Sequence, residues 1–257
     1  MKLFEYIGNK TIGIFEYVGG ITVLFLQTIM WFFRLDIRIK LTIKQMAILG
    51  VNSVFIVLIT TFFTGAVVSL QLAELAVRYG LAKFVGGGVA VGMCRELAPM
   101  LTAVVVAGRA GSAITAEIAS MKVTEQIDAL EVMAVSPVKY LVLPRLLACL
   151  FMFPILSLFA NASGVFGGGA VACILADISP IVYIDSIKTM LTMHDFWGGL
   201  SKSIFFAIEV ALISCYQGLQ TKGGAAGVGI STTGSVVYSI IVIFITNYIL
   251  TALIFAL

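Results

Sequence analysis

The sequence predicts an all-α integral membrane protein: an N-terminal helix lying in the membrane interface, about five transmembrane helices, and one cytoplasmic helix between two of them. Three observations carry this. Of 257 residues 60% are hydrophobic and only 11% charged, a usage outside that of soluble domains. Apolar runs recur at the length of roughly 20 residues that a helix needs to cross the hydrocarbon layer. The charges gather at the ends of those runs, where headgroups and water can solvate them.

The first apolar stretch, Ile12 to Phe33, is long enough to span and contains Glu16. Lys2 and Lys10 precede it, and Arg34, Arg38, Lys40 and Lys44 follow it. Basic residues on both sides place both ends in the cytoplasm, so residues 1–44 are expected to lie in the interface or re-enter. A cleaved signal peptide fits less well, because the stretch lacks a small-residue cleavage site and is long for a signal core.

Residues 45–257 read as one transmembrane bundle, and the whole chain as a single membrane domain without repeats, linkers or low-complexity segments. Gln45 to Ala73 carries no charge; Phe84 to Gly108 carries only Arg95 and Glu96; Leu146 to Ala176 carries none. Ser203 to Thr221 has Glu209 as its only charge, and Gly223 to Leu257 has no ionisable side chain except tyrosine. With five crossings the C-terminus lies opposite the cytoplasm and the Arg109 to Arg145 connection lies within it, as its basic residues Arg109, Lys122, Lys139 and Arg145 require. Gly86 to Gly88, Gly108, Gly111 and Gly167 to Gly169 read as sites of close helix packing.

Several function classes drop out. The net charge of +3 comes largely from residues beside membrane segments, which suits anionic headgroups and not nucleic acid. The four cysteines sit in or beside apolar runs without CxxC spacing and read as small buried hydrophobes. Lys222-Gly223-Gly224 has neither the spacing nor the context of a phosphate loop, so the chain does not hydrolyse ATP by that route. His194-Asp195 has no second histidine, nucleophile motif or metal-ligand spacing beside it and reads as loop. No catalytic site, metal or cofactor is expected in this chain.

Charge inside the bilayer is the informative feature. An unpaired charge at the centre of a span costs at least ~3 kcal/mol, so Arg95 and Glu96 are expected to face a bundle interior or cavity. Adjacent helical positions point about 100° apart, which sends the two to different partners. Pro99 lacks the N–H that would bond the Arg95 carbonyl, so a kink and a freed carbonyl are expected there. Gln71, Lys202 and Asn247 are further polar groups beside the membrane, and Glu209 shares a helix face with Lys202 seven residues earlier. The arrangement suits either a salt bridge locking helices or a polar spot lining a cavity.

The cytoplasmic connection holds a stretch without Gly or Pro, residues 116–133, which predicts one helix over about 115–134. Glu117, Met121, Glu125, Asp128, Leu130 and Glu131 give it a broken apolar stripe and an acidic remainder. A solvated connector and a helix docking onto a separate partner both fit.

The segments CRELAPM, AGRAGSAITAEIASMKVTEQIDALEVMAVSP, KSIFFAIEVALISCYQGLQTKGGAAGVG and the terminal LTALIF resemble, in order over residues 45–257, the MlaE family of ABC-transporter permeases. That resemblance implies a homodimer in the bacterial inner membrane, a cytoplasmic ABC ATPase that binds ATP and Mg, a periplasmic MCE-domain protein, often a small STAS-domain protein, and a phospholipid substrate. It matches Arg95 and Glu96 to the family's intramembrane charged pair and Glu117 to Met133 to its coupling helix. The lipid cavity then lies between the first, second and fifth spans of two copies, with Gln71, Arg95, Glu96, Lys202 and Asn247 among the polar residues. Ala119 and Ala134 stand where many relatives have glycine, which is expected to stiffen the coupling helix, and Glu209 matches no family motif. A rival reading is a self-sufficient ion-coupled carrier in which Glu96, Glu209 and Lys202 relay protons without an ATPase.

Overall fold

The computed structural model describes residues 2–34 and 38–255, with the backbone alone for 2–10 and 14. The side chains of Lys2 and Lys10 and the last two residues of the predicted fifth span therefore lie outside the described residues. Among the described residues every regular element is a helix: α1 (Lys2–Phe33), α2 (Ile39–Gln45), α3 (Val54–Arg78), α4 (Val85–Gly92), α5 (Ala98–Val106), α6 (Ser112–Val123), α7 (Gln126–Val132), α8 (Leu143–Leu175), α9 (Pro180–Met190), α10 (Met193–Leu219) and α11 (Gly224–Phe255). Short π turns at Met46–Gly50, Met93–Leu97, Ala107–Gly111 and Val138–Val142 join several of them without breaking the rod. Among the described residues six helical runs are long and apolar enough to cross a membrane: Thr11–Phe33, Ile39–Arg78, Ala82–Val123, Val138–Leu175, Met193–Leu219 and Gly224–Phe255. The last five coincide with the five spans read from the sequence; the first four of them continue beyond their apolar runs into charged residues, whereas Gly224–Phe255 lies within its run.

α8 forms the centre of the bundle, its apolar window 72% buried against 12% for α1 and 17% for α11. It packs along α3 at a separation that only small residues allow, since a side chain on Gly65 would strike the carbonyl of Gly164. Without a hydrophobic driving force inside lipid, such close backbone approach is what holds helices together. α10 packs against α6, α8 and α11 on the other side. The first helix is joined to the bundle at Tyr17, which meets the Tyr216 ring edge-on at 5.2 Å and whose hydroxyl accepts from Gln217 at 3.1 Å.

The single helix expected over 116–133 is two. α6 stops at Val123, Glu125 takes a left-handed conformation (φ 59°), and α7 starts at Gln126. Propensity favours continuation, and tertiary packing overrides it. Ile118 and Ile127 are both buried, and the turn swings α7 so that both reach the bundle. The Thr124 hydroxyl bonds the carbonyl of Ser120 at 2.8 Å, closing α6, and Lys122 pairs with Asp128 across the turn at 2.7 Å. The expected stiffening by Ala134 is not seen either: Ala134 sits just past the end of α7 with φ 56°, the left-handed position that glycine fills most readily.

Candidate functional site

The π turn at Met93–Leu97 lies just before Pro99, and the two are one feature. Proline cannot bond back to the Arg95 carbonyl, and the wider turn leaves that oxygen facing α10. There Lys202 Nζ donates to it at 3.0 Å. The same ammonium donates to Glu96 Oε1 at 2.7 Å, to Thr251 Oγ1 at 2.8 Å and to Asn247 Oδ1 at 3.5 Å. Asn247 Nδ2 returns a bond to Glu96 Oε2 at 3.0 Å, and the Thr251 hydroxyl lies 3.0 Å from both carboxylate oxygens. Lys202 is wholly buried, which a lysine tolerates only when its charge and its three N–H groups are met.

Arg95, pointing elsewhere as its helical position requires, pairs with Asp195 at 2.5 Å. Asp195 is 1% exposed and does two things at once. Its Oδ2 accepts from the Thr192 backbone and hydroxyl at 2.9 and 2.8 Å, completing the capping box that starts α10, while Oδ1 faces Arg95. The Arg95 guanidinium and the Lys202 ammonium lie 4.7 and 5.2 Å from the Phe255 ring centroid, and His194 meets that ring edge-on. Lys202 follows Asp195 by seven residues, about 10 Å along the helix. The result is a two-tier polar ladder joining the second span to α10 and α11: Arg95–Asp195 in one tier, Glu96–Lys202–Asn247–Thr251 in the other.

Gly199 makes that contact possible, because a side chain there would run into the carbonyl of Cys94. Of the residues singled out in the sequence, Arg95, Glu96, Lys202 and Asn247 come together. Gln71 does not; it is exposed on α3, outside the ladder. Glu209 faces α11 two turns below Lys202, with Thr246 bonding one oxygen and Oε2 buried without a partner. Sequence reading missed Asp195, Thr251 and Phe255. The signal for Asp195 was present, since Thr192-x-x-Asp195 ahead of an apolar run is a helix-start signature; it places His194 and Asp195 in the first turn of α10 and not in a loop.

In the connection between the second and third spans Glu117 pairs with the buried Arg145 at 2.6 Å, and Arg145 also bonds the Leu141 carbonyl at 2.8 Å, tying α6 to the start of α8. Met121 and Leu130 are half-buried against the core. Glu125, Asp128 and Glu131 are exposed, and so are Val132 at 88% and Met133 at 64%. A cavity of about 740 Å³ separates this segment from α1 and the end of α10, with Trp31, Arg34, Lys122 and Glu131 in its walls.

By sequence the chain is similar to ABC transporter permeases. The family model described as Permease MlaE matches residues 42–253. A probable ABC transporter permease protein of Synechocystis sp. is 44% identical over 214 residues, covering 83% of this chain and 81% of that protein. One of Pyropia yezoensis is 42% identical, covering 90% of each chain, and one of Rickettsia felis is 38% identical, covering 99% of this chain and 98% of its own.

Proposed function

The chain belongs to the MlaE permease family, and on that premise we propose that it is the membrane subunit of a transporter moving phospholipids between the inner and outer membranes of a bacterial cell. A multi-pass permease of the ABC class works with an ATPase partner, and the separate cytoplasmic ATPase supplies the ATP and Mg chemistry. The other proposed partners are a second copy of the chain, a periplasmic MCE-domain protein and a STAS-domain protein, with the chain seated in the inner membrane and α1 in its cytoplasmic interface.

One observation carries the mechanism. The helical run Ala82–Val123, 42 residues long, carries Arg95 and Glu96 in its first half and the start of the cytoplasmic segment at its far end, with Arg95 and Val123 about 42 Å apart if straight. Force applied at the exposed acidic face of α7 passes through the Lys122–Asp128 pair into this rod, and through Glu117–Arg145 into α8. The rod carries a ladder whose charges are all internally paired. A phospholipid headgroup carries both an anionic phosphate and, in common lipids, a cationic amine, so it can exchange for either half of such a pair. The exposed apolar face of α11, with Ile241, Phe244, Ile245 and Tyr248, supplies the wall against a second copy.

Native purification of the tagged chain, with lipid mass spectrometry and identification of co-eluting proteins, tests the proposal. An ABC ATPase, an MCE protein and enriched phospholipid are expected. A lone chain with bulk-membrane lipids would instead favour the ion-coupled carrier.

A further inference from the structure

The cavity between α1, α7 and the end of α10 takes no part in the ladder, and its walls change character along one helix. On α1 the wall runs through Gly20, Val23, Leu24, Gln27, Trp31 and Arg34, positions that recur at helical spacing and therefore share a face. That face extends about 21 Å from Gly20 to Arg34. It is apolar at one end, carries a carboxamide midway, and is aromatic and cationic at the other. The walls from α6, α7 and α10 are mixed in the same way, with Ile127 and Leu219 apolar and Lys122 and Glu131 charged.

Two opposite charges in these walls are unmatched. Lys122 is taken by Asp128 at 2.7 Å. Arg34 lies over the Trp31 ring at 4.8 Å, and Lys139 approaches the same ring at 5.3 Å, so two cations converge there. Among the described residues neither Arg34 nor Glu131 has an ion-pair partner, and although they line one cavity they do not pair with each other. A cation and an anion held apart in one cavity suit a ligand that carries both charges.

We propose that this cavity binds one bilayer phospholipid whose head carries a phosphodiester and a primary amine, at a site separate from the Arg95–Lys202 ladder. The phosphate sits against Arg34, whose planar guanidinium suits it; the ammonium donates to Glu131; the upper part of an acyl chain lies along Leu24 and Val23. Tryptophan beside basic residues at the end of an apolar run marks the headgroup level, where basic pockets between helices take lipid phosphates. The gradient along α1 selects an amphiphile, and the two signs of charge select an aminophospholipid over an anionic one. The volume, about 740 Å³, lies within the roughly 300–1,000 Å³ of small-molecule sites, whereas a partner helix 10–12 Å across filling the same length needs about 2,000 Å³. The site does not depend on the transport reading, and the isolated chain suffices to test it.

The full-length chain is placed alone in phosphatidylcholine nanodiscs with a graded fraction of phosphatidylethanolamine and treated with a water-soluble carbodiimide, which joins a carboxylate to an adjacent primary amine. Peptide mapping locates the lipid adduct. The adduct at Glu131 is expected to saturate at a low phosphatidylethanolamine fraction, while Glu125, exposed and outside the cavity, reacts only in proportion to that fraction. Arg34→Gln should raise the half-saturating fraction about tenfold, the worth of one charge-assisted hydrogen bond. Glu131→Gln, read by native mass spectrometry, should turn lipid retention from phosphatidylethanolamine to phosphatidylglycerol, because only the cationic end remains. Parallel titration of Glu131 and Glu125, or a half-saturating fraction indifferent to Arg34→Gln, overturns the site. An unchanged preference in Glu131→Gln overturns the place of the amine. Glycerophosphoethanolamine, the same head without chains, should not displace the lipid; displacement at equal concentration would replace the lipid with a soluble phosphodiester. No adduct at Glu131 in the isolated chain would sink the proposal and leave the cavity to a protein partner.

Discussion

Removing the charge of Glu96 leaves the buried ammonium of Lys202 without its carboxylate partner. Lys202 is wholly buried, and Glu96 is its one anionic partner within bonding distance. Breaking a buried pair by removing one member costs about 3–5 kcal/mol, because the survivor keeps its desolvation penalty. The Glu96 side chain is 31% exposed, and Thr251, Asn247 and the Arg95 carbonyl still bond the lysine, so Glu96→Gln is expected near the lower end, about 3 kcal/mol. Lys202→Met removes the stranded charge as well. In the double variant the two losses should therefore fall short of their sum by about 2 kcal/mol, the signature of directly coupled groups. Equilibrium unfolding in mixed micelles, followed by the fluorescence of Trp31 and Trp197, measures all four corners of the cycle. Additivity within about 0.5 kcal/mol would show that the two residues do not share one site, and the ladder would be wrong.

Four other substitutions follow from the same geometry. Ala134→Gly relieves a left-handed alanine whose strain is roughly 1–2 kcal/mol, against about 0.5–1 kcal/mol of added chain entropy; a small rise in thermal midpoint is expected, and a fall would mean the φ of 56° is not held in solution. Gly65→Val drives a side chain into the Gly164 carbonyl and should abolish monodisperse, folded protein, whereas Gly13→Ala, with open space around it, should leave the elution profile unchanged. Arg145→Met cuts the link between Glu117 and the start of α8, so partner ATPase turnover should become insensitive to added lipid while assembly persists; unchanged lipid stimulation would remove Arg145 from the transmission path.

Apolar runs made the last five spans legible, because lipid imposes a length on any crossing helix and excludes unpaired charge from it. Their ends were less legible. α10 begins ten residues before its apolar run, since His194, Asp195 and Lys202 break the hydropathy signal while the helix continues through them. The Pro99 argument identified the freed Arg95 carbonyl, but not that Lys202 would meet it, for a local rule names an orphan and not its distant partner. Asp195 and Thr251 escaped for the same reason: one lies 100 residues from Arg95 and the other 155 from Glu96. The break at Glu125 is set by the burial of Ile118 and Ile127 against other helices, which propensity along 116–133 cannot express. Gln71, chosen for polarity near a span, lies on the exposed face of α3, apart from the ladder.

Reversing the acidic face of α7 in a reconstituted system tests the central claim most directly. With the chain, its ATPase and its MCE partner in proteoliposomes, transfer of labelled phospholipid is measured with and without ATP, comparing the native chain with Asp128→Lys plus Glu131→Lys. The expected result is ATP-dependent transfer by the native complex, and loss of both ATPase association and transfer in the variant while phospholipid still co-purifies with the chain. Transfer that proceeds without ATP, or at native rate after the charge reversal, would contradict a permease driven through α7.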